Sequence, residues 1–251
     1  KSGSETLEYF PGVYRGKTLS YNIGTAGSIT LMLQSLLIPM MFGDKKTKLR
    51  ITGGTDVSWS MPIDYFNNLF IPEISKYALI KSKVVKRGYY PKGEGEIEID
   101  IEPIHNIQSF KTFKEFKQYL LDLRQPVELV ENGKLVYIKG VSNASKDLEY
   151  RQVAERQANN AKLLLMRYNL PVNIRSEYAN TYSTGSGLTL WGIYSNGHQY
   201  RVGTDALGGK MKKAEDVAEE AVKNLDSEIS SNAAVDKHLA DNLIPFIALF
   251  G

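Results

Sequence analysis

The segment Gly24-Thr-Ala-Gly-Ser-Ile-Thr-Leu-Met-Leu-Gln34 joins two glycine-spaced turns to an apolar run that carries a single amide. Residues 21–23 read as the end of a strand, and Gly24 and Gly27 permit a tight turn with close backbone approach. Ser28 is a natural N-cap for the run 29–42. A helix start made of small residues offers unpaired N–H groups to an anion such as phosphate. The plainer reading is a strand–turn–helix unit whose Gln34 hydrogen-bonds to backbone. Either way Gln34 needs a partner. A second cluster, Lys86, Arg87, Tyr89, Tyr90 and Lys92, mixes cations with aromatic rings. Such a mixture can hold phosphates and stack a base; it can equally be a solvated turn with its tyrosines packed on a sheet. By their spacing, His238, Asp241 and Asn242 share one face of a helix. Arg151 and Arg156 stand on a long charged helix, placed to reach a polyanion or simply to be solvated.

Composition narrows the chemistry. With 251 residues the chain can bury a substantial core, in one large domain or two smaller ones. A net charge of +3 permits a local basic face without demanding a nucleic-acid partner. The absence of cysteine excludes disulfides, thiolate ligands and a cysteine nucleophile. His105, His198 and His238 are too far apart in sequence for ligand spacing, so no metal site is expected among them. The longest apolar run, 29–42, is interrupted by Gln34 and Pro39 and is too short to cross a bilayer. The opening Lys-Ser-Gly-Ser-Glu does not resemble a signal peptide. A cytoplasmic protein with no membrane partner is expected.

Two short strands are expected within 6–23, around Pro11 and Gly12, followed by a helix over 28–42 and a strand over 49–52. Ile63, Phe66, Phe70, Ile74 and Tyr77 recur at helical spacing over 63–78, and residues 80–86 read as a strand. Strict alternation in Glu96-Ile-Glu-Ile-Asp-Ile101 marks a half-buried strand with an acidic solvated face. Beyond a composition shift near Phe110 come a charged helix over 110–123 and strands 127–130 and 134–139, flanking the hairpin signal Asn132-Gly133. A helix over 147–168 and strands 172–177, 188–194 and 199–202 follow, the last two joined through Asn196-Gly197. Helix 212–230 precedes a final helix from about Ala234. The fold class is α/β of the α+β type, with helices on one face of a mixed sheet and a second α/β module.

The first segment resembles the RNA 3'-terminal phosphate cyclase family in its archaeal form, and further matches follow in order. They are Ile51-Thr-Gly-Gly-Thr-Asp56 with Pro62 and Asp64, Arg87-Gly-Tyr-Tyr-Pro-Lys-Gly93, Ala154-Glu-Arg-Gln157 and Thr184-Gly-Ser-Gly187. Gly203 to Gly208 with Ala214-Glu215, and His238-Leu-Ala-Asp-Asn-Leu243, complete the series. The resemblance implies repeated βαβαββ units with a smaller inserted domain. On that plan 1–108 is a large-domain repeat, 109–231 the inserted α/β domain and 232–251 the start of the resumed repeat. A preceding repeat and the C-terminal end of the family pattern are expected to lie outside the chain.

The activity implied is ATP-dependent conversion of an RNA 3'-terminal phosphate to a 2',3'-cyclic phosphodiester, through a covalent histidine–AMP and an RNA-adenylate. ATP and a divalent cation, Mg or Mn, are the implied cofactors, and RNA 3'-phosphate ends the implied partner. The nucleophilic histidine is expected after Gly251, so no catalytic residue and no metal ligand is assigned within the chain. The resemblance places Gln34, Met61, Pro62, His238, Leu239, Ala240, Asp241 and Asn242 around the nucleotide. Met61 stands where proline is more usual, and Asn242 where many relatives have glutamine. Lys86, Arg87, Tyr89 and Lys92 are the implied RNA contacts, with Glu94 interrupting a glycine-rich run common in the family. The alternative from another class is a catalytically silent, cyclase-like scaffold in RNA processing. Retention of Gln34 and the 238–242 helix favours the enzyme. A sugar- or shikimate-type transferase on the same repeated unit has no supporting motif.

Overall fold

Ile97, Ile99 and Ile101 alternate with Glu96, Glu98 and Asp100, so one face of their strand buries while the other stays in water. The computed structural model describes residues 3–6, 8, 10, 12–131, 133–195 and 199–251, and its first sheet is built around that strand. The elements are β1 (Thr18–Asn22), α1 (Ile29–Met41), β2 (Thr47–Gly53), α2 (Ile63–Tyr65), α3 (Ile71–Ile74), β3 (Ala78–Lys86) and β4 (Gly95–Pro103). The strands lie in the order β1-β2-β4-β3, with β1 parallel to β2 and the other pairs antiparallel. Leu49 and Ile51 join the isoleucines in the core beneath α1. On the opposite face Arg50 reaches Glu96 and Glu98 at 2.9 and 2.8 Å, and Lys46 reaches Asp100 at 2.7 Å. The helices therefore cover one face only, as the alternation requires.

Between α2 and α3 the helix passes through a π turn at Phe66–Phe70. Pro72 has no N–H to return to the carbonyl one turn back, so the regular ladder cannot continue there. The helical stretch ends at Ile74, earlier than residue 78, and Tyr77 instead packs its ring on Phe250.

The remaining elements are α4 (Phe113–Asp122), β5 (Lys134–Ser145), α5 (Val153–Leu165), β6 (Val172–Ala179), β7 (Ser186–Ser195), β8 (Gln199–Leu207), α6 (Ala214–Ser230) and α7 (Lys237–Phe250). The second sheet runs β6-β5-β7-β8, with β5 parallel to β6. Ile138, Leu188 and Leu190 face α5 and α6, where Ala158, Ala161, Ala218 and Ala221 let the helices sit close. Val141, Trp191 and Ile193 point the other way, into the core of the first unit. Covered on both faces, β7 is buried continuously from Ser186 to Tyr194 rather than at alternate positions.

Several expected boundaries shift for identifiable reasons. Glu8 and Phe10 are not in a strand, and Leu7, Tyr9 and Pro11 lie outside the described residues. Residues 127–130 form no strand. Val127 donates instead to the Gly251 carbonyl at 3.2 Å. Asn132 lies outside the described residues, as do Asn196 and Gly197, although β7 and β8 pair antiparallel from Ser195 and Gln199 onward. The helix expected over 147–168 is divided at Gln152, whose φ of 51° is left-handed. A 3₁₀ segment, Lys146–Arg151, precedes that residue and α5 follows it.

Candidate nucleotide-binding cleft

Segments far apart in the chain meet at one cleft: the first half of α1, the loop leading into α2, parts of β8 and α6, and the first turns of α7. The cleft encloses about 420 Å³, and its lining includes Gln34, Met61, His238, Asp241 and Asn242. The spacing 238, 241, 242 places these side chains on one face of α7, as the sequence predicts. Gln34 finds its partner here: its Nε2 donates to Asn242 Oδ1, and Asn242 Nδ2 donates to the His238 carbonyl at 2.6 Å. The glutamine is satisfied by a side chain of another element rather than by its own backbone. Pro62 is buried behind Met61 as the residue that starts α2. Leu239 packs into the core, and neither it nor Ala240 lines the cleft.

The glycine-spaced turn before α1 positions rather than binds. The Ile29 N–H donates to the Gly54 carbonyl at 3.0 Å, and the Leu31 N–H to Ser28 Oγ at 3.2 Å. Two of the donors that an anion would need are already committed. A Cβ at Gly53 or Gly54 would fall 2.8 or 2.5 Å from the carbonyls of Gly27 and Ala26, so this contact requires glycine. Thr30 Oγ1 then donates to the Met61 carbonyl at 2.7 Å, tying the loop wall of the cleft to the helix.

Asp236 holds the opposite wall, and sequence reasoning missed it. Its side chain is fully buried. Oδ1 accepts from the N–H groups of His238 and Leu239 at 3.0 and 2.9 Å and from the Tyr65 hydroxyl at 2.5 Å. Oδ2 accepts from the Gly203 N–H at 2.9 Å. One carboxylate thus caps α7, anchors α2 and joins β8, and it moves the helix start from about Ala234 to Lys237. Burial, followed by the neighbouring Asp236 charge, pushes the Tyr65 hydroxyl up, so it remains a donor. The signal was an Asp immediately before an apolar-periodic helix.

Acidic groups dominate the charged lining, with Asp205, Glu228 and Asp241 against Lys237 and the imidazole of His238. Burial, with lesser repulsion from Asp56, Glu220 and Asp236, pushes the Asp205 carboxyl up to about 7. This environment suits a nucleoside, whose edges are donors and acceptors, better than a triphosphate. Among the described residues no group of three or more His, Asp or Glu side chains comes together in a way that could hold a metal ion.

The basic and aromatic turn is divided by the structure. Arg87 and Tyr89 are each 3% exposed, so neither side chain projects from the turn. Arg87 reaches Asp56 at 3.0 Å, Asp64 at 2.7 Å and Glu177 Oε1 through Nε at 2.8 Å. The Tyr89 hydroxyl donates to Asn143 Oδ1 at 2.7 Å. A buried cation surrounded by three carboxylates and bridging two sheets is an internal tie. Burial first, and the Asp56 charge in addition, push the Asp64 carboxyl up to about 6 against the opposing pull of Arg87. Lys86, Tyr90 and Lys92 keep access to solvent, and the Lys92 N–H donates to Ser183 Oγ at 3.0 Å. His105, with its pKa lowered by burial, bonds the Tyr119 hydroxyl through Nδ1 at 3.0 Å.

A family model described as RNA 3'-terminal phosphate cyclase matches residues 1–251. Among curated relatives, an RNA 3'-terminal phosphate cyclase of Archaeoglobus fulgidus is 37% identical over 98% of this chain and 67% of its own length. That of Pyrococcus abyssi is 38% identical over 99% of the chain and 67% of its length. That of Methanosarcina mazei is 36% identical over 99% of the chain and 69% of its length. No helix among the described residues is long and apolar enough to cross a membrane.

Proposed function

The chain belongs to the RNA 3'-terminal phosphate cyclase family, and from that premise we propose that its cleft between α1 and α7 holds the adenosine of ATP during cyclisation of RNA 3'-phosphate ends. In the reaction proposed, a histidine nitrogen attacks the α-phosphorus of ATP and expels pyrophosphate, and an RNA 3'-phosphate oxygen then takes AMP from the histidine, breaking the P–N bond and freeing the imidazole. The 2'-hydroxyl attacks the 3'-phosphorus and expels AMP, leaving a 2',3'-cyclic phosphodiester. The nucleophile is assigned to neither His105 nor His238, since the first is bonded to Tyr119 away from the cleft and the second belongs to the nucleoside wall.

One observation carries the reading: Gln34, Met61, His238, Asp241 and Asn242, drawn from three separate segments, converge on one cleft. Met61 and the His238 imidazole supply flat or apolar contacts for a purine. Gln34 spends its amide on Asn242, which leaves Oε1 to accept from an exocyclic amine. Asp241 is exposed at the rim, where it can accept from ribose hydroxyls. A catalytically silent scaffold would have no use for this set. Gln34→Ala and Asp241→Ala should each weaken ATP binding, measured by equilibrium dialysis, by about 1–3 kcal/mol. Unchanged affinity in both would remove the nucleoside assignment.

A further inference from the structure

The loop of residues 56–62 has a second side. Trp59, Ser60 and Met61 line the nucleotide cleft, whereas Asp56, Val57 and Ser58 line a larger one of about 900 Å³. Between them Trp59 stands 97% exposed at a left-handed φ of 67°, a conformation costly for a bulky side chain. The floor of the larger cleft is formed where Tyr89 packs under Gly185, at which a Cβ would fall 2.3 Å from the tyrosine ring. Its far wall carries Arg151, Arg156, Lys210, Lys212 and Lys213. Arg156 and Lys212 are paired with Glu215 and Glu220. Arg151, Lys210 and Lys213 are exposed and make no ion pair among the described residues. Tyr90, 76% exposed, lines the same cleft, and Tyr150 lies beside Arg151.

Through Thr184 this cleft continues into another of about 690 Å³, where Lys86 lies 3.8 Å above the exposed ring of Tyr182. Along the combined groove, exposed cations that form no ion pair among the described residues lie with exposed aromatic rings. That arrangement matches single-stranded nucleic acid, which presents phosphates and unstacked bases by turns. A duplex would offer charge but no free base faces, and an acidic peptide would leave the rings unused.

We infer that the groove running from Lys210 and Lys213 past Tyr90 to Lys86 and Tyr182 holds the RNA strand upstream of its 3' end, with Trp59 at the crest between that strand and the nucleotide cleft. The inference rests on the proposed RNA substrate but not on where adenosine binds. The phosphate end reaches the nucleotide by passing the 56–62 loop, so one short segment borders both substrates. The groove is formed by parts of both sheets, which gives the module carrying β5 to β8 a direct part in substrate binding.

The test is fluorescence anisotropy with a labelled single-stranded RNA 12-mer ending in a 3'-phosphate. The triple variant Arg151→Glu, Lys210→Glu, Lys213→Glu should bind at least tenfold more weakly than the unaltered protein. Its slope of log affinity against log salt should fall by about 2, as three phosphate contacts are lost. Tyr90→Ala should cost about tenfold with the salt slope retained, because stacking releases no counterions. Lys117→Glu on α4 reports the effect of a charge reversal outside the groove, and thermal midpoints report folding. Unchanged affinity in a folded triple variant would overturn the inference. So would equal loss in Lys117→Glu, or equal competition by poly-glutamate, which would indicate an acidic protein partner. If AMP fails to bind the nucleotide cleft while the triple variant still loses RNA, the nucleoside reading fails and the groove stands.

Discussion

Replacing Asp236 with alanine isolates the element that holds the nucleotide cleft together. The substitution removes an N-cap, which costs about 1 kcal/mol. It also leaves the buried Tyr65 hydroxyl and the Gly203 N–H without their acceptor, at about 1–3 kcal/mol each. Relief of the cost of burying a carboxylate offsets part of this, so about 3 kcal/mol of net destabilisation is expected. Urea unfolding, followed by tryptophan fluorescence and circular dichroism, measures it. Asp236→Asn keeps a cap and one acceptor, and should lose about half as much. The double variant Asp236→Ala, Tyr65→Phe should recover about 1 kcal/mol relative to Asp236→Ala, because the orphaned hydroxyl is gone. A loss below about 0.5 kcal/mol for Asp236→Ala, or strict additivity in the double variant, would refute this role.

Arg87→Ala should destabilise the fold by about 3–5 kcal/mol in urea, since it leaves the buried Asp56 and Asp64 carboxylates without their cation; a folded variant of normal stability with weakened RNA binding would instead restore Arg87 to the RNA surface. Asp205→Asn should stabilise the protein increasingly as pH rises. The folded carboxyl titrates near 7, well above the ordinary 3.8, so the native state holds the extra proton between those values and stability falls with pH across that window. Comparing urea midpoints at pH 4 and pH 8 should show a gain approaching about 4 kcal/mol at the upper end only; a gain independent of pH would place its cause elsewhere.

The alternating strand 96–101, the capped helix after Ser28 and the face shared by residues 238, 241 and 242 were all legible, because each follows from a local period or a local cap. Positions whose role is set by a distant neighbour were not. Arg87 and Tyr89 carry surface-type side chains at a turn, and only the arrival of Asn143 and Glu177 from the second sheet makes them internal. Asp205 sits in an ordinary strand pattern, and its exceptional titration comes from the face that β8 turns toward the first unit. Residues 127–130 have strand composition, yet Val127 bonds the carbonyl of the distant Gly251 instead of a sheet. Gln34 announced its need for a partner, and the partner was 208 positions away.

The most direct measurement of the adenosine assignment is a nitrogen-15 chemical-shift titration of the protein with AMP. Saturable shifts are expected to concentrate at Leu31, Gln34, Ser60, Met61, His238, Asp241 and Asn242, residues around the α1–α7 cleft. The Gln34 and Asn242 side-chain amides should move with them, and Asp241→Ala should weaken the response. Shifts confined to the groove around Arg151 and Lys213, or no saturable shifts at α7, would contradict it.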